Sequence, residues 1–156
     1  MSTSSFLYGI SAVFAAVSIV GRAQGVPTNA QDWIANGATA CEKYLTPEFQ
    51  STVLQSPAGP AQRTNAYSCQ NGSLYITLKV KDVNDFRREL PMIAGVHQMS
   101  GVGDAAYWNE AGTVSAVKGH DRGCAVGVFL QQDAKIHNAE LAEKLGEICN
   151  KLFALP

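Results

Sequence analysis

Apolar residues recur every three or four positions in two stretches of the chain, one near each end of its second part. In the first stretch these positions are Trp33, Ile34, Ala38, Cys41 and Leu45. In the second they are Leu141, Leu145, Ile148, Cys149 and Leu152. This spacing is typical of amphipathic helices, so we predict one helix from about residue 30 to 45 and a final one from about 137 to 153.

Two shorter helices are predicted from their first residues. Thr46 is a good N-cap, and Pro47 suits the first helical position because its missing N–H needs no partner there. Asp82 is a second N-cap candidate, followed by a short apolar pattern that should stop near Pro91.

Strand patterns lie between these helices. Residues 73–81 alternate apolar and polar side chains, and Asn71-Gly72 before them favours a type I′ turn that would pair 73–81 with residues 65–70. Three further strands are predicted near 104–109, 113–119 and 123–131, the last with Cys124, Val126, Val128 and Leu130 on one face.

The order of these elements predicts an α+β fold. A largely antiparallel sheet of about five strands should pack against N-terminal, middle and C-terminal helices, because no repeating βαβ pattern is present. The segment Gln55 to Thr64, rich in proline and glycine, is expected to be a loop.

The N-terminal segment of the sequence indicates that the protein is exported from the cytoplasm. Fifteen uncharged, mostly apolar residues from Phe6 to Val20 are followed by small residues at positions 23 and 25, which is typical of a cleaved signal peptide. We therefore expect a signal peptide over 1–25 and one domain over 26–156, secreted or periplasmic, with membrane contact only through the signal segment. The start of the chain has no Lys or Arg, so an uncleaved anchor and a buried helix stay as alternatives.

The charge balance argues against nucleic acid as a partner. The chain has 12 Lys plus Arg and 13 Asp plus Glu, and loss of Arg22 with the signal leaves 11 against 13, a net charge of about −2. Nucleic-acid-binding surfaces normally carry clustered basic residues.

Four cysteines, Cys41, Cys69, Cys124 and Cys149, all follow the signal segment, which favours two disulfides in an exported domain. Three pairings are formally open. We prefer Cys41 with Cys69 and Cys124 with Cys149, because each pair joins the buried stripe of a helix to a strand beneath it. Free buried thiols and a zinc site are the alternatives, although no C-x2-C or H-x3-H spacing supports zinc.

No motif identifies a reaction or a cofactor. The G-x-G-x-x-A pattern of a dinucleotide-binding fingerprint is matched by Gly101-Val102-Gly103-Asp104-Ala105-Ala106. The predicted secondary structure does not match, because a strand rather than a long helix follows these residues. Three histidines fall in predicted loops or at element ends, namely His97, His120 and His137. An enzyme would need at least two of His97, His120, Asp104, Asp121 and Glu110 to converge in a pocket.

Two groups of polar and aromatic residues are candidates for a binding surface. Tyr75 and Lys79 lie on the polar side of a predicted strand, and Tyr107 with Trp108 could form a rim. Asn71-Gly72-Ser73 is also an N-glycosylation sequon, although the turn accounts for these residues without a sugar.

Three short motifs carry a resemblance to a known family. They are Cys41 with Tyr44-Leu45-Thr46-Pro47-Glu48, then Tyr67-Ser68-Cys69, and then Gly101 to Tyr107. Over residues 38–155 the chain resembles a family of small exported actinobacterial lipoproteins of unknown function. The resemblance implies an α+β fold, an envelope location and a Cys41–Cys69 disulfide. The chain departs from that family in having no cysteine at the cleavage site, so no lipid anchor is implied, and in adding Cys124 and Cys149.

These observations favour an exported, non-enzymatic domain that binds a protein, an envelope component or a small molecule. A small secreted hydrolase with a dispersed site is the first alternative. The second is a secreted inhibitor or effector that uses an exposed loop such as Gln55 to Thr64.

Overall fold

The computed structural model describes residues 28–56 and 59–156. The predicted signal segment, residues 1–25, lies outside the described residues. Within the described ranges the α-helices are α1 (Thr28–Ala35), α2 (Ala40–Tyr44), α3 (Pro47–Val53), α4 (Val83–Glu89) and α5 (Asn138–Phe153). The strands are β1 (Ala61–Asn65), β2 (Ser68–Asn71), β3 (Leu74–Lys79), β4 (Val96–Met99), β5 (Ala105–Asn109), β6 (Thr113–Lys118) and β7 (Arg122–Val128).

All seven strands form one antiparallel sheet in the order β1-β2-β3-β7-β6-β5-β4. The α+β prediction is confirmed, but the expectation of about five strands is too low. The two additional strands, β1 and β4, are the edges of the sheet, and β1 occupies part of the segment predicted to be a loop. Edge strands contact a neighbour on one side only and are largely exposed here, so they need no alternating apolar pattern.

One face of the sheet, called the inner face, is covered by α1, α2 and α5. Its buried side chains come mainly from the central strands: Leu74, Ile76 and Leu78 of β3, Cys124, Val126 and Val128 of β7, and Val114 and Ala116 of β6. The stripe of α5 that was predicted from the sequence, from Leu141 to Leu152, packs onto them. Leu130, expected on the same face as Val128, lies beyond the end of β7 and is exposed.

The opposite face, called the outer face, is covered on one side only. Helix α4 packs Phe86 and Leu90 against Val117 of β6, with Tyr107 of β5 at the edge of this cluster. The outer face of β2, β3 and β7 has no helix packed on it among the described residues.

The predicted first helix is broken into α1 and α2 by a 3-10 turn over Asn36–Ala38. Gly37 lies directly against the backbone of Tyr67, and a Cβ at this position would be 2.0 Å from the Tyr67 carbonyl oxygen. The helical pattern is correct on both sides of the break, but contact with the β1–β2 turn interrupts the helix. The N-caps Thr46 and Asp82 are confirmed, since their side chains accept hydrogen bonds from Phe49 N–H and from Asn84 and Asp85 N–H.

The Asn71-Gly72 hairpin is present, but its turn type was predicted wrongly. Asn71 pairs with Leu74, so the two loop residues are Gly72 and Ser73. Gly72 has a φ of 60°, and neither Asn71 nor Ser73 has a positive φ. This is the arrangement of a type II′ turn, which needs glycine only at its first loop position.

The cysteines form the two preferred pairs, Cys41–Cys69 and Cys124–Cys149, with Cα atoms 5.9 Å and 5.8 Å apart. The first joins α2 to β2 and the second joins β7 to α5. All four side chains are buried. Each disulfide therefore fastens a covering helix to the inner face of the sheet.

The glycine-rich segment before β5 is a turn that feeds a strand, as predicted. Gly101 and Gly103 have φ of 77° and 54°. Asn150 of α5 holds this turn, because its side chain accepts from Gly103 N–H at 3.1 Å and donates to Gly101 O at 2.8 Å.

Candidate functional site

The structure does not bring together the four residues predicted to form a binding surface. Tyr75 and Lys79 lie on the outer face of β3. Tyr107 shares that face but is stacked on Phe86 of α4, with ring centroids 5.3 Å apart. Trp108 is on the inner face, because neighbouring residues of a strand point to opposite sides.

Tyr75 and Lys79 lie flat over two glycines of β7. A Cβ at Gly127 would be 2.5 Å from the Tyr75 hydroxyl oxygen, and one at Gly123 would be 2.7 Å from Cγ of Lys79. The Tyr75 hydroxyl is 2.8 Å from the Thr113 hydroxyl. Burial of the Lys79 stem lowers the pKa of its amine, with a further contribution from Lys81. These contacts make a flat surface rather than a pocket.

A concave site lies beside Trp108, between α5 and the β5–β6 hairpin. This α5 cavity has a volume of about 370 Å³. Its apolar lining is Trp108, Val114, Leu141, Ala142 and Leu145. Its polar and small lining residues are Asn109, Glu110, Gly112, Thr113, Gln131, His137 and Asn138. An apolar floor with a few polar groups around it is the usual composition of a small-molecule site.

The β5–β6 turn forms one wall of the α5 cavity. The side chain of Asn109 accepts from Thr113 N–H, and the Asn109 carbonyl accepts from Gly112 N–H, at 3.1 Å and 3.0 Å. Gly112 has a φ of 79°, and the Cβ that it lacks would be 3.5 Å from Leu141. Glycine is favoured here by the positive φ of the turn, whereas a Cβ would make only an ordinary contact with Leu141.

The start of α5 forms the facing wall. His137 occupies the N-cap position in an extended conformation, and its side chain makes no capping hydrogen bond. Asn138 has a φ of 54° and is the one non-glycine residue with a positive φ in the part of the chain that the structure describes. A left-handed residue at the mouth of a cavity is the kind of backbone outlier that clusters at functional sites.

Four exposed polar side chains around the α5 cavity make no hydrogen bond to any other described residue: Glu110, Gln131, His137 and Asn138. The nearest ionisable group to Glu110 is His97, with Nε2 3.9 Å from Oε1. His97 also stacks on Trp108, with ring centroids 4.3 Å apart. The polar rim is therefore available to a ligand.

The ionisable groups named for an enzyme do not converge in the described structure. His97 and Glu110 are close to each other, but 3.9 Å is beyond hydrogen-bond reach. Asp104 accepts from Gly119 N–H at 2.8 Å, and Asp121 is not hydrogen-bonded to either histidine. Thr113 is the one hydroxyl residue lining the α5 cavity, and its oxygen is engaged by Tyr75.

The closest acid–histidine pair was missed by the sequence analysis. Nδ1 of His120 is 2.6 Å from Oδ2 of Asp82, although the two residues are 38 positions apart. The hydrogen bond in which Asp82 accepts from His120 raises the pKa of His120 and lowers the pKa of Asp82. Both groups are at the surface and away from the α5 cavity. No spacing in the sequence signals this pair, because it depends on the packing of α4 against the β6–β7 turn.

A second, more open groove of about 900 Å³ lies beside α3, and its lining includes Ser56 and Gly59. Gln50 and Asn71 line it, and both side-chain amides donate to the Leu45 carbonyl, at 2.6 Å and 3.2 Å. Asn71 is buried, and its Oδ1 has no hydrogen-bond partner among the described residues. The sequon asparagine is thus a structural residue of the folded domain.

Among residues 28–56 and 59–156, no three His, Cys, Asp or Glu side chains are grouped as a metal site would require. In the same residues, no helix has the length and apolar character needed to cross a membrane. No protein-family model, no curated protein and no solved structure matches the chain.

Proposed function

We propose that the protein is an exported binding domain and that a small molecule binds in the α5 cavity. The observation that carries this proposal is a concave site with an apolar floor and exposed polar side chains around its mouth. Groups of this kind orient and select a ligand whose body fills the apolar part.

The rigidity of the walls supports binding rather than a role in packing alone. The Cys124–Cys149 disulfide fastens α5 to the central strand β7, and the β5–β6 turn is held by Asn109. A cavity held open by fixed elements loses little conformational entropy when a ligand enters.

Export is supported by the apolar segment from Phe6 to Val20 and by the two disulfides, which persist in oxidising compartments. The resemblance to exported lipoproteins points the same way. We expect the mature protein in the culture fluid or periplasm to begin at Val26, or at Gln24 if the cut follows Ala23. N-terminal sequencing of the native protein tests this, and a chain that still begins at Met1 would contradict a cleaved signal.

Ligand binding is tested with a fragment library and two-dimensional NMR of the folded domain. We expect hits to shift the signals of the Trp108 indole and of the Leu141 and Leu145 methyl groups. Ala142→Leu fills the cavity and should abolish these hits. Ala139→Leu, on an exposed position of the same helix, is the matched control and should leave them unchanged.

Far-UV circular dichroism and thermal melting establish that A142L is folded. If it is not, Gln131→Trp, which blocks the mouth from an exposed position, replaces it. Hits that persist in the blocked variant and shift only Tyr75 and Phe129 would move the site to the outer face and end this proposal.

A hydrolase is the second candidate, favoured by the position of His97 and Glu110 beside the α5 cavity. A general base must reach the proton it removes, and this pair would have to move closer to share one. Turnover of chromogenic esters or glycosides by the wild type, lost in both H97Q and E110Q, would establish the enzyme instead.

A further inference from the structure

The permanent charge in the lining of the α5 cavity is negative. Glu110 is the one residue with a permanent charge in the cavity lining, and no Lys or Arg lines it. His97, beside Trp108, and His137, in the lining, are the two histidines at this site. An anionic ligand would face the exposed carboxylate of Glu110, whereas a cation would be attracted to it.

The start of α5 opposes the negative charge of Glu110, because the N-terminal end of a helix carries a partial positive charge of about half a unit. Glu140 in the first turn of α5 counteracts this charge. With Glu110 on the facing turn, the balance at the mouth is negative.

Trp108 adds a second preference for a cation. Its indole lines the α5 cavity and carries His97 on one face, and the face of an indole ring that is not covered attracts ammonium groups through its quadrupole. The side-chain carbonyls of Gln131 and Asn138 can accept hydrogen bonds from an ammonium group. The apolar floor formed by Leu141, Ala142 and Leu145 can cover a hydrocarbon or aromatic body.

We infer that the ligand of the α5 cavity is a small organic cation, with an ammonium group beside Glu110 and Trp108 and an apolar body over Leu141 and Leu145. This inference rests on the proposed function, since it names the class of ligand for the same cavity.

Three probes of nearly equal size and shape test the inference: 2-phenylethylamine, 2-phenylethanol and phenylacetate. Isothermal titration calorimetry at low salt and about pH 8 keeps the amine charged, because an aliphatic amine of this kind has a pKa of about 10. We expect the amine to bind roughly tenfold more tightly than the alcohol, because an exposed ion pair and a cation–π contact each contribute modestly. Phenylacetate should bind most weakly.

Glu110→Gln removes the charge and keeps the shape. In E110Q the affinity for the amine should fall to that for the alcohol, while the affinity for the alcohol stays unchanged. Glu143→Gln, on an exposed position of α5 outside the cavity, is the matched control and should leave all three affinities as in the wild type. Trp108→Leu should weaken the amine more than the alcohol.

The outcomes distinguish the charge class of the ligand from the existence of the binding site. Equal binding of amine and alcohol, both blocked by A142L, would overturn the cation inference and leave the binding site in place. Tightest binding of phenylacetate would also overturn it and would point to the start of α5 as an anion site. If none of the three probes binds while other fragments fill the cavity, the inference is wrong and the proposed function stands. If no fragment of the library binds in the cavity either, both the cation inference and the proposed function are wrong.

Discussion

At the scale of single residues, Asp82 has two functions that use its two carboxylate oxygens. Oδ1 caps α4 by accepting from Asn84 and Asp85 N–H, and Oδ2 is hydrogen-bonded to His120. The sequence predicts the cap, since an Asp before a short apolar helical pattern is a local signal. The bond to His120 has no local signal.

This pair should make stability depend on pH. The pKa of His120 is raised above its ordinary value of 6.5, so its contribution is complete below about pH 6.5 and is lost as the pH rises through the raised value. The pKa of Asp82 is lowered from 3.8, so its contribution is lost only in acid, as the pH falls through the lowered value. The free energy of unfolding should therefore differ most between wild type and His120→Gln at about pH 5, and least at alkaline pH, above the raised pKa of His120.

Urea denaturation at the two pH values measures this difference. NMR titration of the His120 ring gives a direct check, since Asp82→Asn keeps the cap but should return the His120 pKa towards its ordinary value. Asp121→Asn removes only the weaker attraction of a neighbouring carboxylate and should lower this pKa less. An unchanged His120 titration in D82N would disprove the contact.

At the scale of elements, hydrophobic periodicity predicted the central strands and α5 well, because one face of each is buried against the core. It could not predict β1 and β4, which bury little, or the break between α1 and α2. The break depends on Gly37, whose contact with Tyr67 comes from a part of the chain 30 residues away. A contact of this kind is absent from any local pattern.

Gly37→Ala should destabilise the domain by about 3 kcal/mol or more, because its Cβ would overlap the backbone oxygen of Tyr67, which cannot rotate away as a flexible side chain could. Chemical denaturation gives the loss. Gly59→Ala is the matched control, since no atom lies within 4 Å of its added Cβ, and we expect no loss of stability there. Equal stability of G37A and G59A would contradict the close packing of the β1–β2 turn against this helix.

At the scale of the whole molecule, two disulfides hold the helical layer on the inner face. They close separations of 28 and 25 residues, so the chain-entropy model gives each about 3.5 kcal/mol. Two contributions of this size are large beside the roughly 5 to 15 kcal/mol of an ordinary domain. The disulfides stabilise the fold and do not line the α5 cavity, because all four cysteines are buried away from its rim.

The double variants C41A/C69A and C124A/C149A should each lose about 3.5 kcal/mol of unfolding free energy. The two losses should be similar, because the two disulfide loops have nearly the same length. Only the second should also weaken ligand binding, since it releases α5 from β7. Urea denaturation followed by titration with a fragment hit measures both effects. Equal loss of affinity in the two variants would show that α5 is held in place by packing alone.

The sequence by itself determined the α+β class, the five central strands of the sheet and the N-caps, because each of these depends on spacing within a short segment. It favoured the correct cysteine pairs, but only the tertiary structure decided among the three possible pairings, because each pair joins segments 25 or more residues apart. The sequence could not locate the α5 cavity. The cavity joins Trp108 and Glu110 on one hairpin to His137 and Asn138 at the start of α5, and these meet only when β7 inserts between β3 and β6 and brings α5 across the inner face. The tertiary structure likewise decided that Trp108 lines a cavity while Tyr107 packs under a helix, because the pleat of β5 points neighbouring side chains to opposite faces.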